Sequence, residues 1–208
     1  MNLKGREEAW RLARITGTLL GCILLVVSTA GIVVAPLIVW VMAPGFHIFP
    51  EKLRLTIFLT RITFPYIFLV GMAALLMGIL NSFRRFSAPA FAPTMLNLAM
   101  IFSALSLSSH LDPPVTSLAI GVLLGGIGQV IIQVPGVRRE GGRFSFDFSW
   151  QDPSVRRVGK LMLPGIVGLA ITQANFFVGT FLASFLREGS VSFLYYSFRL
   201  IQIPIGFV

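Results

Sequence analysis

Apolar residues run along this chain in long stretches separated by short polar ones, without the period of two that marks half-buried strands. The stretches fall at about Ile15 to Ala43, Ile57 to Leu80, Ala88 to Ser109, Val115 to Val134 and Leu161 to Leu186, and a sixth opens near Val191. A helix rising about 1.5 Å per residue needs roughly 20 apolar residues to cross about 30 Å of hydrocarbon, so these stretches predict transmembrane α-helices. A β-barrel needs strands of about ten residues alternating in polarity. Such alternation is brief here, from Arg143 to Trp150. The sixth stretch is still apolar at Val208. Backbone groups left unpaired in lipid are costly, so the pattern predicts an internal fragment whose last helix continues.

Composition agrees with a lipid environment. Charged residues make up 12% of the 208 and apolar ones 55%, with a mean hydropathy of +0.84, whereas a soluble domain carries roughly one quarter charged residues. The fold class predicted is an all-α, polytopic helical membrane bundle. A net charge of +9 can mark a nucleic-acid binder, but that requires a basic face on a soluble module, and here the charges lie between apolar spans. They report topology instead. Lys4, Arg6, Arg11, Arg14, Arg84, Arg85, Arg138, Arg139, Arg143, Arg156, Arg157 and Lys160 fall on one side of the alternating spans, and Lys52, Arg54 and Arg187 on the other. The positive-inside rule makes the first set cytoplasmic. Cys22 is the single cysteine, so the chain has no internal disulfide and no Cys-based metal site. The first apolar stretch is about twice the length of a signal-peptide core.

The longest connection, Pro135 to Lys160, divides the chain into four helices over residues 1–134 and two over residues 161–208. It carries Phe144, Phe146, Phe148 and Trp150, an amphipathic series suited to the headgroup layer. Asp152 followed by Pro153 is a helix-start signal.

Among candidate functional residues, Arg199 lies about 12 Å below the outer end of the sixth span, near mid-membrane. A charge there costs at least about 2.5–3.5 kcal/mol on insertion scales, so it faces a partner or a wet cavity, and its planar fork suits a diphosphate. Snorkelling or an internal ion pair is the bland alternative. Arg61, one turn inside the second span by this reading, reaches the interface along its own stem. Asn97, Gln173 and Asn175 are neutral polar residues within spans, able to bond neighbouring helices or to line a cavity. Pro36, Pro65, Pro89, Pro93, Pro164 and Pro204 can kink their helices. The G-x-x-x-G pairs Gly17/Gly21 and Gly121/Gly125 read as close helix packing. His47 and His110 have no matching carboxylate or cysteine pattern, and no nucleophile elbow, P-loop or dinucleotide fingerprint occurs, so neither an enzyme nor a metal or other cofactor is predicted.

Several strings carry a family resemblance: Ala43-Pro44-Gly45-Phe46, Arg61-Ile62-Thr63-Phe64-Pro65-Tyr66, Leu80-Asn81-Ser82-Phe83-Arg84-Arg85-Phe86, Ala88-Pro89-Ala90-Phe91-Ala92-Pro93-Thr94-Met95-Leu96-Asn97, Gly189-Ser190-Val191-Ser192 and Tyr195-Tyr196-Ser197-Phe198-Arg199-Leu200. In order and spacing they resemble the MurJ (MviN) family of lipid II flippases, from about Trp10 to Val208. The resemblance implies membership of the multidrug/oligosaccharidyl-lipid/polysaccharide exporter superfamily, with two six-helix lobes around a central cavity in the bacterial inner membrane. On that template the chain is similar to the third to eighth helices, with the long connection as the linker between lobes. Arg199 falls on a cavity arginine thought to meet the lipid II diphosphate. Many members have an acidic residue just before that arginine, where this sequence has Phe198. The family's other cavity arginines lie in its first two helices, so this stretch alone is not expected to transport. Lipid II, membrane lipids and other cell-wall synthesis proteins are the implied partners, and alternating access the implied mechanism. An exporter of another lipid-linked saccharide or a drug, or a non-transporting scaffold, are the competing readings.

Overall fold

The computed structural model describes residues 3–142, 145–149, 151–187 and 189–205, the side chains of residues 3–6, 172 and 202–205 excepted. Among the described residues seven α-helices follow one another: α1 Leu3–Met42, α2 Pro50–Thr63, α3 Tyr66–Ser82, α4 Ser87–Leu107, α5 Thr116–Arg139, α6 Pro153–Ala183 and α7 Ser190–Ile205, with a 3-10 turn at Pro44–Ile48 after α1. Five stretches among the described residues are long and apolar enough to cross a membrane: Glu7–Met42, Pro50–Ser82, Ser87–Leu107, Thr116–Arg139 and Pro153–Ala183. They correspond to the first five predicted spans, and the chain is a multi-pass helical membrane protein. The sixth predicted span coincides with α7, whose 16 described residues measure about 24 Å. Val208, Arg143, Phe144 and Trp150 lie outside the described residues.

Three span hydroxyls illustrate bonding to a carbonyl one turn back on the same helix. Thr18 donates to Arg14 at 2.9 Å, Thr29 to Leu25 at 2.8 Å and Thr180 to Phe176 at 2.9 Å. Each hydroxyl is thereby satisfied where lipid offers no partner. Large apolar side chains remain exposed outside the packed surfaces, such as Val33, Leu105 and Ile171, as lipid-facing positions require.

The chain falls into two compact units, Met1–Val33 with Leu59–Val158 and Val34–Phe58 with Gly159–Val208. In the first unit α5 packs on α4 and α3. A Cβ on Gly121 would lie 2.9 Å from the Met100 Cα, and one on Gly125 2.7 Å from the Leu96 Cα. The backbones of α4 and α5 therefore meet where the sequence places its second G-x-x-x-G pair. Ser103, fully buried, donates its hydroxyl to the Ser117 carbonyl across the same interface. Gln133 is likewise fully buried, and its amide donates to the Ala73 carbonyl of α3 at 3.2 Å and to Gln129 at 2.9 Å.

Pro65 breaks the second span into α2 and α3. The Phe64 N–H still bonds the Thr60 carbonyl and the Ile67 N–H the Phe64 carbonyl, each at 3.0 Å, so the proline's missing donor costs little continuity. The Phe64 ring seats on Gly31 of α1, where a Cβ would enter it. Beyond α3 the backbone reverses through Arg84, at φ 58°. The Arg85 N–H bonds the Leu80 carbonyl at 2.9 Å and the Arg84 N–H bonds the Asn81 carbonyl at 3.0 Å. This is the six-to-one and five-to-two pair of a Schellman cap.

The projecting ends of α1, α3 and α5 are tied together. Trp10 stacks on Phe83 at 5.2 Å and donates its indole N–H to the Glu140 carbonyl at 3.2 Å. Arg85 Nε bonds the Glu140 carboxylate at 2.8 Å. The following segment lies along α1, with the Asp147 N–H bonded to Thr18 Oγ at 3.0 Å and Arg11 paired with Asp152 at 3.3 Å. Phe146 and Phe148, both exposed, stack at 6.4 Å. The Ser154 N–H donates to the Asp152 carboxylate at 2.9 Å, so Asp152 caps α6 with Pro153 at its first position, as the sequence predicts. Ser154's backbone and side-chain bonds hold that carboxyl below its ordinary range.

In the second unit the Gly45 N–H donates to Ser184 Oγ at 3.2 Å, and a Cβ at Gly45 would collide with the Ser184 carbonyl. The Ala-Pro-Gly-Phe string is thus a docking turn, in which Pro44 starts the 3-10 turn and Gly45 allows the end of α6 to come close.

Candidate functional site

Arg199 sits on α7, nine residues beyond its first residue Ser190, or about 14 Å along the axis. α7 follows a turn through Gly189, at φ 89°. It touches α6 where Phe198 meets Phe176 edge-on at 5.0 Å and where Leu194 lies over Gly179. Phe198 is therefore a packing residue against α6.

Arg199 is exposed, and no carboxylate pairs with it among the described residues. Its partner is Tyr195, one turn back: Nε and Nη2 both donate to the phenol oxygen, at 3.1 and 3.0 Å. The guanidinium carbon lies 5.4 Å from the centre of the same ring, within cation–π range. The sequence reading gave Tyr195 no role, although its spacing of four from Arg199 is the one that brings two side chains together on a helix.

Gln173 and Asn175 lie on α6 and are both exposed. Two residues subtend about 200° on a helix, so they fall on opposite flanks of the stripe, Phe176 and Gly179, that touches α7. Arg61 and Asn97 belong to the first unit. Arg61 is exposed in the last turn of α2, two residues before its end at Thr63, where a cation complements the helix's C-terminal carbonyls. Asn97 is exposed midway along α4. The buried polar pair Gln129 and Gln133 went unnoticed in the sequence, where an i, i+4 spacing of amides inside an apolar span was its only signal.

The first unit also holds a cavity of about 490 Å³ between α1 and α3, with Arg14, Trp10, Gly142 and Phe146 at one end and Leu25 and Phe68 among its lining. Its walls are otherwise mostly apolar, with Thr18 and Ser145 supplying hydroxyls, which suits a hydrocarbon chain better than a polar ligand.

The family described as lipid II flippase MurJ matches this chain over residues 1–208. The chain is 40% identical over 148 residues to a "Probable lipid II flippase MurJ" of Haemophilus influenzae, covering 71% of this chain and 29% of the relative. It is 36% identical over 202 residues to the Vibrio cholerae protein of the same name, covering 94% and 38%. It is 34% identical over 207 residues to the "Lipid II flippase MurJ" of Burkholderia cenocepacia, covering 98% and 40%. The chain thus spans two fifths or less of the length of these relatives. A match from one end of the chain to the other, on a helical framework whose breaks and turns fall at the resembling strings, places this chain in the lipid II flippase MurJ family.

Proposed function

We propose that this chain is part of a lipid II flippase of the bacterial cytoplasmic membrane, moving the undecaprenyl-diphosphate-linked precursor from the inner to the outer leaflet. The observation that carries the reading is Arg199, a mid-helix cation with no carboxylate partner among the described residues. A cation so placed is costly in hydrocarbon and is retained where it meets an anion in a polar cavity. The relatives' shared name points to the diphosphate of lipid II as that anion.

The physical task is to move a large polar headgroup across hydrocarbon. The unaided cost is prohibitive, because each sugar, peptide and phosphate group gives up water without replacement. A cavity lined by donors substitutes for that water while the polyprenyl tail stays in lipid. The four spans before the long connection form the closing part of one lobe and α6 and α7 the opening of the second, with alternating access between them. Arg199 holds the diphosphate, and Gln173, Asn175, Asn97 and Arg61 are the further polar contacts. No bond is made or broken, so the activity is transport and not catalysis, and it needs no cofactor. Other cell-wall synthesis proteins acting on the same precursor are its partners at the membrane.

The test is complementation by the complete polypeptide in cells depleted of their own lipid II flippase, comparing wild type with Arg199→Ala at matched membrane levels. Rescue by wild type and not by Arg199→Ala is expected. Rescue by both removes Arg199 from the site, and rescue by neither turns the reading to another lipid-linked saccharide or to a scaffold.

A further inference from the structure

We propose that Tyr195 is the positioning residue for Arg199, its hydroxyl fixing the guanidinium so that one edge stays open to the diphosphate. The proposal rests on the reading of Arg199 as the diphosphate contact.

A guanidinium carries five N–H donors in a rigid plane. Two of them, one on Nε and one on Nη2, are taken by the same phenol oxygen at 3.1 and 3.0 Å. Nε and Nη2 form the side edge of the fork. The end edge, with one N–H from each Nη, remains free and parallel, which is the geometry that grips two oxygens of one phosphate. The bonding also fills the acceptor positions of the phenol oxygen, leaving its own O–H as a donor directed away from the arginine.

Without Tyr195 the arginine's stem is free to search several rotamers, and that freedom is lost each time the substrate binds. Tyr195 offers the fork a partner one turn back, within a helix already held against α6 by Phe198 on Phe176. The ring beneath the guanidinium adds a cation–π contact. Tyr196, next along the chain, touches the Tyr195 ring at 6.0 Å but shares no bond with Arg199 among the described residues, so it serves as an internal control.

The experiment measures binding of purified lipid II to the complete protein in lipid nanodiscs, for wild type, Tyr195→Phe, Arg199→Ala, the double variant and Tyr196→Phe. Phenylalanine keeps the ring and removes only the hydroxyl. The expected result is about tenfold weaker binding for Tyr195→Phe, once the two bonds that fix the guanidinium are lost and its freedom must be given up on binding. Arg199→Ala should lose more, the double variant should match Arg199→Ala within about twofold, and Tyr196→Phe should match wild type. A merely structural tyrosine weakens binding equally with and without the arginine, and that outcome overturns the proposal. So does wild-type binding by Tyr195→Phe beside a defective Arg199→Ala, or a Tyr196→Phe loss as large as that of Tyr195→Phe. Wild-type binding by Arg199→Ala overturns the underlying site reading itself.

Discussion

Arg199 and its neighbour Tyr195 show which features of a single residue a sequence displays and which it conceals. Arg199 stood out because depth along an apolar helix follows from counting residues, and burying charge in hydrocarbon has a known cost. Tyr195 did not stand out, because an aromatic in an apolar run counts as hydrophobic until its hydroxyl is seen to accept two arginine N–H bonds. Gln173 and Asn175 were legible as polar residues in a span, but their placement on opposite flanks of α6 means that at most one faces any given narrow cleft. At this scale Arg61→Lys is expected to retain function in the complementation assay, since either cation complements the end of α2. Gly45→Ala should destabilise the protein by about 1–3 kcal/mol, because the new Cβ meets the Ser184 backbone, which cannot swing aside as a side-chain tip can. A thermal melt in detergent, with Ala43→Gly as a comparison that adds no atoms, checks this.

At the scale of elements, apolar run length located the five spans to within a few residues of their cores, because lipid enforces both helicity and length. Helix ends were less legible. α1 begins well before Ile15 and α5 continues past Val134 to Arg139, since a helix continues into water for as long as side chains and caps support it. The Pro65 break was readable from the missing donor, whereas the Schellman cap at Arg84 was not, because a non-glycine residue at positive φ carries no sequence mark. Close approach in the α4–α5 pair predicts that Gly125→Val lowers stability by about 1–3 kcal/mol, while Gly78→Ala, with nothing within 4 Å of its Cβ, raises it by up to about 1 kcal/mol. Melting temperatures of the two variants separate these outcomes. The start of α6 should respond to acid. The Asp152 carboxyl has a folded pKa below its unfolded one, so its contribution is complete above the unfolded value and is lost as pH falls through the lower, folded value. Amide hydrogen exchange at Ser154 should quicken relative to mid-helix amides over that acidic window, and Asp152→Asn should remove the dependence.

For the whole molecule, the sorting of lysines and arginines predicts the orientation, with the segment after α5 inside and the connection after α4 outside. Substituting Cys22 with serine and placing single cysteines at Ser145 and Ser109 tests this with a membrane-impermeant thiol reagent on intact cells. Ser109→Cys is expected to react, and Ser145→Cys only after the membrane is opened. Labelling of Ser145→Cys in sealed cells would invert the assignment.

The tie made by Trp10 has a consequence for biosynthesis. Its indole bonds a carbonyl 130 residues further along the chain, whereas α4 and α5 meet through far shorter separations, down to 14 residues for the Ser103–Ser117 bond. Contacts close in sequence form first and cost the least chain entropy. The α4–α5 hairpin and the α1 tie therefore become possible at nearly the same moment of synthesis, as α5 and then Glu140 emerge, and the hairpin, closing the shorter loop, forms first while α1 waits in the bilayer to be fastened.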